Sequence, residues 1–161
     1  MINAAVLTIS DKGSRGERID SSGEYIVTAL RTQGIPVDKY EVVPDELDMI
    51  AAKLKQWADD GRTDLIFTTG GTGLAPRDVT PEATLQVIEK EVPGIADMLR
   101  FNGFKNTPTA ILSRGLAGVR GRCLIINLPG SPRAVQEYIE LIMPVIPHAI
   151  YTLQGKIGDH K

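Results

Sequence analysis

The chain has 161 residues, 42% of them hydrophobic and 24% charged, with a formal net charge of -2. These are globular values for a chain able to bury a core, without the basic footprint of a nucleic-acid binder, and no apolar run approaches the roughly 20 residues of a membrane span. The start lacks a basic segment and passes quickly into polar loop, unlike a signal peptide, and the lone Cys123 cannot form an internal disulfide, so a reducing cytoplasm is the expected setting.

Asn3 to Ser10 reads as a short apolar strand that stops at polar residues. Asp20 or Ser21 offers an N-cap for a helix to about Gln33, with Gly34 as its stop. The loop between them sets Lys12, Arg15 and Arg18 against Asp11, Glu17 and Asp20; it is either a flap or plain solvated chain. Pro36 to Val43 predicts a second strand. Glu46 to Asp60 predicts a helix, since Leu47, Ile50, Ala51, Leu54, Trp57 and Ala58 form one stripe that Gly61 ends. Asp64 to Thr69 has no polar face, the pattern of a strand buried on both sides.

A glycine-rich stretch follows, after which Thr80 and Pro81 open a helix to about Glu91. Pro93-Gly94 break it, and Ile95 to Phe104 predicts another. Thr109 to Ser113 and Arg122 to Leu128 read as strands joined by Ala117 to Gly121, paired either as a hairpin or in parallel. Ser131-Pro132 open a last helical region to about Leu153, interrupted by Pro144 and Pro147. Strands alternating with helices predict a single α/β domain over residues 1–153, a three-layer αβα domain with a mostly parallel central sheet, and a loose tail over 154–161.

Ligands of such sheets bind outside the carboxyl ends of the strands, so the residues leaving each strand are the candidate site. They are Ser10-Asp11, Pro44-Asp45-Glu46, Gly70-Gly71-Thr72-Gly73, and Pro129-Gly130-Ser131-Pro132. Glycine lets a backbone take φ > 0 and bring its N–H groups close to an anionic oxygen. The stretch fits neither the common P-loop nor the dinucleotide fingerprint, and a plain tight turn is the alternative reading. Ser131-Pro132 is a strong helix start that serves either as a cap or as an anion site. Asp45 and Asp78 on this edge suit Mg²⁺, which takes one or two carboxylates plus phosphate oxygens. A helix cap before Glu46 and a turn before Pro81 are the respective alternatives. His148, His160 and Cys123 build no nucleophile system, so the substrate must bring its own nucleophile, as in phosphoryl or nucleotidyl transfer.

TISD at Thr8 to Asp11, VPDE at Val43 to Glu46, TTGGTGLAPRDVTPEA at Thr68 to Ala83 and INLPGSP at Ile126 to Pro132 closely resemble the molybdenum-cofactor biosynthesis family of molybdopterin adenylyltransferases, whose domain recurs in gephyrin. The resemblance implies a homotrimer that transfers AMP from ATP to the terminal phosphate of molybdopterin, releases pyrophosphate, and uses Mg²⁺. It implies Asp45 and Asp78 as the catalytic, metal-holding pair. Gly70, Gly71, Thr72 and Gly73 map to the nucleotide loop, with Ser10 and Asp11 beside it. Arg77 either adds a contact to the nucleotide or forms an outward salt bridge. Asn127, Pro129, Gly130 and Ser131 map to the molybdopterin end, joined there by Ser113 and Arg114. Hand-over to the molybdenum insertion enzyme is implied as well. Two other readings stand beside this one: a non-catalytic molybdopterin-binding or scaffold member, and a different phosphate enzyme such as a nucleotide phosphatase.

Overall fold

The computed structural model describes residues 1–156; the tail expected over 154–161 lies outside the described residues from residue 157 on, as does His160. The chain runs β1 (Ala4–Ile9), α1 (Asp11–Ser14), α2 (Ser21–Thr32), β2 (Val37–Val43), α3 (Leu47–Ala58), β3 (Leu65–Thr69), α4 (Thr80–Val87), β4 (Lys90–Glu91), α5 (Pro93–Asn106), a 3-10 turn (Pro108–Leu112), β5 (Ala117–Arg120), β6 (Cys123–Leu128), α6 (Pro132–Ile142) and α7 (Ile146–Leu153).

One sheet has the order β2-β1-β3-β6-β5-β4. Its first four strands are mutually parallel, and β5 and β4 are antiparallel additions. Every residue of β1, β3 and β6 is buried, because both faces of the sheet are covered. Alternation along β1 divides the core: Ala4 and Val6 pack with α2, α5, α6 and α7, whereas Ala5, Leu7 and Ile9 pack with α3 and α4. The expected three-layer αβα domain with a mostly parallel sheet is therefore present. Its edges are blunted, on one side by the half-exposed β2 and on the other by the two charged residues of β4.

Four expectations need correction. Thr109 to Ser113 is not a strand: Pro108 opens a 3-10 turn there, and Ala117–Arg120, expected as a connector, is the strand that forms the hairpin with β6. Ala117 and Val119 are the residues of that segment with core contacts, which decides the pairing. The helix after Thr80 ends at Val87 rather than near Glu91, because Lys90 and Glu91 pair with Val119 and Gly118. Pro93 occupies the first turn of α5, so that helix starts before Ile95 and runs on to Asn106. The loop after β1 contains a single-turn helix, α1, capped by Ser10 through a bond from the Gly13 amide at 3.0 Å. The last helical region is broken near Pro144 as expected, into α6 and α7, whereas Pro147 sits in the first turn of α7 and does not interrupt it.

Candidate active site

β1 leads one way to β2, while β3 lies on its other side, so the connections leaving β1 and β3 part company at their carboxyl ends. That divergence opens a crevice where no helix covers the strand ends. Here a cleft of about 510 Å³ lies between Ser10, Asp45, the Gly70-Gly71 backbone and Asp78, and Arg18 and Asp20 also line it. A second cleft of about 420 Å³ lies between Gly71-Thr72-Gly73, Ser113, the Pro129-Gly130-Ser131 loop and Tyr138. Gly71, Asp78 and Gly130 line both, so the two clefts meet across the glycine loop.

Glycine is required at the centre of that loop. Gly70 has φ +97°, and a Cβ on it would stand 2.3 Å from the Ile9 carbonyl oxygen. Gly71 has φ +67°, and a Cβ there would meet the Thr80 hydroxyl at 2.4 Å and Asp45 Oδ1 at 3.1 Å. The Gly70 amide donates to the Leu128 carbonyl at 3.1 Å, so it fixes the loop and does not face a ligand. The amides of Gly71, Thr72 and Gly73 make no hydrogen bond to another described residue and are the free donors of the stretch.

Asp45 and Asp78 approach this loop from opposite chain segments. Asp45 Oδ1 lies against Gly71, and Asp78 Oδ2 would be 2.9 Å from a Cβ on Gly73. Asp45 does not cap α3. Its Oδ2 accepts from the Asp11 amide at 2.9 Å, while Asp11 Oδ1 accepts from the Asp45 amide at 3.0 Å, a reciprocal clasp between the exits of β1 and β2. Asp78 does hold its own turn, accepting from the Ala75 amide at 3.1 Å. Burial pushes the Asp45 carboxyl above the usual carboxylate range, and repulsion from Asp11 and Asp78 adds to the push. The cleft thus concentrates negative charge from Asp20, Asp45 and Asp78 against the single guanidinium of Arg18. No group of three or more His, Cys, Asp or Glu side chains gathers for a metal among the described residues; a pair of carboxylates is a set that suits Mg²⁺, which takes one or two carboxylates plus phosphate oxygens and water.

Four of the residues singled out from the sequence do not line either cleft. Arg77 forks Asp11, at 2.6 Å through Nε and 3.0 Å through Nη2, and reaches Glu46 at 2.9 Å, which is the outward salt bridge. Asp11, its partner, is held down to about 2 by the Arg77 hydrogen bonds and then by the Asp45 amide. Arg114 straps the glycine loop from outside: Nε donates to the Gly73 carbonyl and Nη2 to the Asp78 carbonyl, both at 2.8 Å, and Nη1 pairs with Glu82. Asn127 is buried, with Nδ2 donating to the Thr68 and Thr84 hydroxyls at 2.9 and 3.0 Å and Oδ1 accepting from the Leu116 amide at 3.2 Å. Its amide group is fully occupied by the fold. Ser10, Gly70, Gly71, Thr72, Gly73, Ser113, Pro129, Gly130 and Ser131 do line the clefts.

Sequence reasoning left out the wall at α2. Asp20 caps that helix through the Gly23 amide at 2.9 Å and also accepts from Thr8 and Tyr40. Gly23 is the residue that lets the carboxylate in, since a Cβ there would lie 2.1 Å from Asp20 Oδ2. Ser22 then ties α2 to the Gly130 carbonyl at 2.8 Å. The available signal was polar residues inside otherwise apolar strands: Thr8, Thr68, Thr69 and Asn127 all sit near the carboxyl end of a buried strand.

Residues 5–148 match the family model described as "Probable molybdopterin binding domain". A molybdopterin adenylyltransferase of Helicobacter pylori is 44% identical over 156 residues, covering 96% of this chain and 89% of that protein. Gephyrin of Dictyostelium discoideum is 42% identical over 161 residues, covering 94% of this chain and 22% of that longer protein. Among solved structures, the molybdopterin biosynthesis enzyme MoaB of Thermus thermophilus superposes with a TM-score of 0.90 at 52% identity, covering 97% of this chain and 98% of that one. By sequence, fold and the make-up of its strand exits, this chain belongs to the molybdenum cofactor biosynthesis family of molybdopterin-binding domains.

Proposed function

We propose that this protein is a molybdopterin adenylyltransferase, transferring the adenylyl group of ATP to molybdopterin in molybdenum cofactor biosynthesis. Relatives bearing that name at 36–44% identity over most of the chain support the activity. The observation that carries the mechanism is the pair of clefts sharing Gly71, Asp78 and Gly130: two substrates can lie end to end with their phosphates meeting at one wall.

In this reading the first cleft takes ATP and the second takes molybdopterin. An oxygen of the molybdopterin phosphate forms a bond to the α-phosphorus of ATP. The bond from that phosphorus to the bridging oxygen breaks, and pyrophosphate leaves with the electron pair. The free amides of Gly71, Thr72 and Gly73 face the phosphates, and the N-terminal end of α6 borders the same region. Asp45 and Asp78 would hold Mg²⁺, which supplies charge neutralisation for the phosphates and the leaving group. Ser10 caps α1 beside the nucleotide. Asp11 and Arg77 keep the β1 and β2 exits together, while Arg114 and Asn127 hold the glycine loop and the β6 exit in place. Ser113, Pro129, Gly130 and Ser131 form the molybdopterin side.

The unbroken sheet supports one domain over residues 1–153, and no helix among the described residues is long and apolar enough to cross a membrane. A homotrimer, a cytoplasmic setting and hand-over of the product to the molybdenum insertion enzyme complete the proposal. Exposed Met98, Phe101 and Ile111 offer apolar surface for subunit contact. The deciding experiment incubates the protein with ATP, Mg²⁺ and molybdopterin and detects adenylylated molybdopterin by mass. Pyrophosphate release without any pterin product would favour a nucleotide phosphatase, and tight molybdopterin binding without product would favour a scaffold member.

A further inference from the structure

Tyr138 lies in the α6 wall of the second cleft and is only 4% exposed. A buried phenol ordinarily finds a hydrogen-bond partner. This hydroxyl has none among the described residues, and it is not sealed away: Gln154 Oε1 is the one buried side-chain atom left without a partner among them, so the Tyr138 oxygen keeps contact with solvent. Burial raises its pKa, with the charge of Glu137 adding to the shift, so the group remains a neutral O–H donor. Its position is made by a glycine on the facing helix: a Cβ on Gly103 would stand 2.1 Å from the Tyr138 hydroxyl and 2.9 Å from Ala110 Cβ. The ring therefore reaches to the α5 backbone at Gly103 with its polar end open to solvent, in the wall between the second cleft and a neighbouring hollow of about 200 Å³.

Glu137 lines the same two spaces. One carboxylate oxygen accepts from Asn106 Nδ2 at 3.3 Å, and the other faces Arg133 Nε at 3.5 Å. Both contacts are long, and each oxygen keeps a lone pair free. The wall consequently offers a solvent-facing donor and an incompletely satisfied acceptor lining the same cleft. A pterin presents the complement on its pyrimidine edge, where a carbonyl stands next to a ring N–H and an amino group.

We propose that Tyr138 and Glu137 are specificity-determining residues for the pterin ring: the Tyr138 hydroxyl donates to the ring carbonyl, and the Glu137 carboxylate accepts from the adjacent N–H and amino group. This assignment rests on the reading that the second cleft takes molybdopterin. It gives Gly103 a reason to be glycine, because any side chain there would displace the hydroxyl from the wall.

The test is steady-state adenylylation by the full chain with molybdopterin and ATP varied separately, on wild type, Tyr138→Phe and Glu137→Gln. Tyr138→Phe should raise the molybdopterin KM about three- to tenfold, and Glu137→Gln about tenfold or more. The ATP KM and kcat should stay within about twofold, and thermal unfolding should show both variants folded. A molybdopterin KM that does not move in a folded variant removes that residue from the assignment while adenylyl transfer stands. Equal increases in the KM of both substrates would mark a distorted wall and also overturn it. Absence of adenylylated product from the wild type would be a failure of the function itself, and the assignment would fall with it.

Discussion

The two flanks of the glycine loop are held by opposite means. On the β1–β2 side, the exits are joined by charged side chains: Asp11 clasps Asp45 in a partly buried pair, and the exposed Arg77 bridges Asp11 and Glu46. On the β3–β6 side, the inner joints are neutral and mostly buried, with Arg114 strapping the loop from outside: Asn127 bonds Thr68 and Thr84, Thr80 donates to the Gly70 carbonyl at 2.9 Å, and Thr69 donates to the Pro129 carbonyl at 2.7 Å. Exposed ion pairs contribute little to stability and are weakened by salt, whereas a buried polar group left without its partner costs about 1–3 kcal/mol. The neutral flank therefore sets the shape of the loop, and the charged flank sets the electrostatics of what binds to it.

The strongest way to sharpen that division is to remove the carboxylate charge proposed to hold Mg²⁺ without changing shape. Asp78→Asn and Asp45→Asn should each lower the rate of adenylyl transfer by roughly 10²–10³-fold, the scale of losing one preorganised electrostatic contact, with little change in the unfolding midpoint. Near-full turnover in either variant would remove that carboxylate from the metal role. The raised pKa of Asp45 gives a second readout. Since its folded value exceeds the unfolded one, its stabilising effect is complete below the unfolded value and is lost as pH rises through the folded one. Cation binding runs the other way, because it needs the ionised form. In metal-free protein, Asp78→Asn removes one repelling charge, so the Asp45 carboxyl should titrate at lower pH than in wild type, as followed by carbon NMR. An unmoved or higher midpoint would show that the two carboxylates do not interact.

The neutral flank is broken most cleanly at Asn127. Asn127→Ala strands two hydroxyls and the Leu116 amide, and should cost about 2–3 kcal/mol by urea unfolding. The molybdopterin KM of the folded fraction should change far less than in Tyr138→Phe. A stable variant with a strongly raised molybdopterin KM would instead put the Asn127 amide on the ligand.

How legible was this in the sequence? The central strands and the two-layer helix cover were plain, because runs such as LIFTT have no polar face and the α3 stripe is regular. The hairpin was misplaced, since the choice between Thr109–Ser113 and Ala117–Arg120 depends on which segment meets the core of α5 and β6, and that contact is non-local. Asp45, Asp78 and the glycines could be picked out because an acid or a glycine run at a strand exit is a local pattern. The roles of Arg114 and Asn127 could not, because their partners lie far off in sequence. Nor could those of Tyr138 and Gly103, since their meaning lies in a fit across two helices. Local chemistry was readable from the chain, and the packing that directs it was not.

Cys123 tests the opposite end of the β3–β6 half. It is fully buried among Ala5, Ile66 and Trp57, and burial raises its thiol to about 12. Cys123→Ser places a hydroxyl in that apolar layer and should cost about 1–3 kcal/mol while leaving kcat per folded molecule unchanged. In the native protein the thiol should resist alkylation until unfolding exposes it. Lost activity in a fully folded variant would contradict this.

The smallest change in stability, and the finest test of the charged flank, comes from Arg77→Met. The urea midpoint should stay near wild type, since Arg77 and Glu46 are largely exposed and the partly buried Asp11 keeps its bonds with Asp45. Asp11, at about 2 in the native protein, loses the hydrogen bonds that are the largest cause of its low value and should titrate closer to 3.8. Its depressed value means that its stabilising effect is present above the unfolded pKa and is lost as pH falls through about 2, so any stability gap between variant and wild type should exist at neutral pH and close in strong acid. Arg77 also lowers Asp45, so without it the Asp45 carboxyl rises further, and the acid limb of turnover at subsaturating Mg²⁺ should move to higher pH. An arginine that touched the nucleotide phosphates would behave differently, raising the ATP KM at every pH. A shifted acid limb with an unchanged ATP KM at neutral pH means that Arg77 acts through Asp11 and Asp45; a raised ATP KM with an unshifted limb would place it on the substrate.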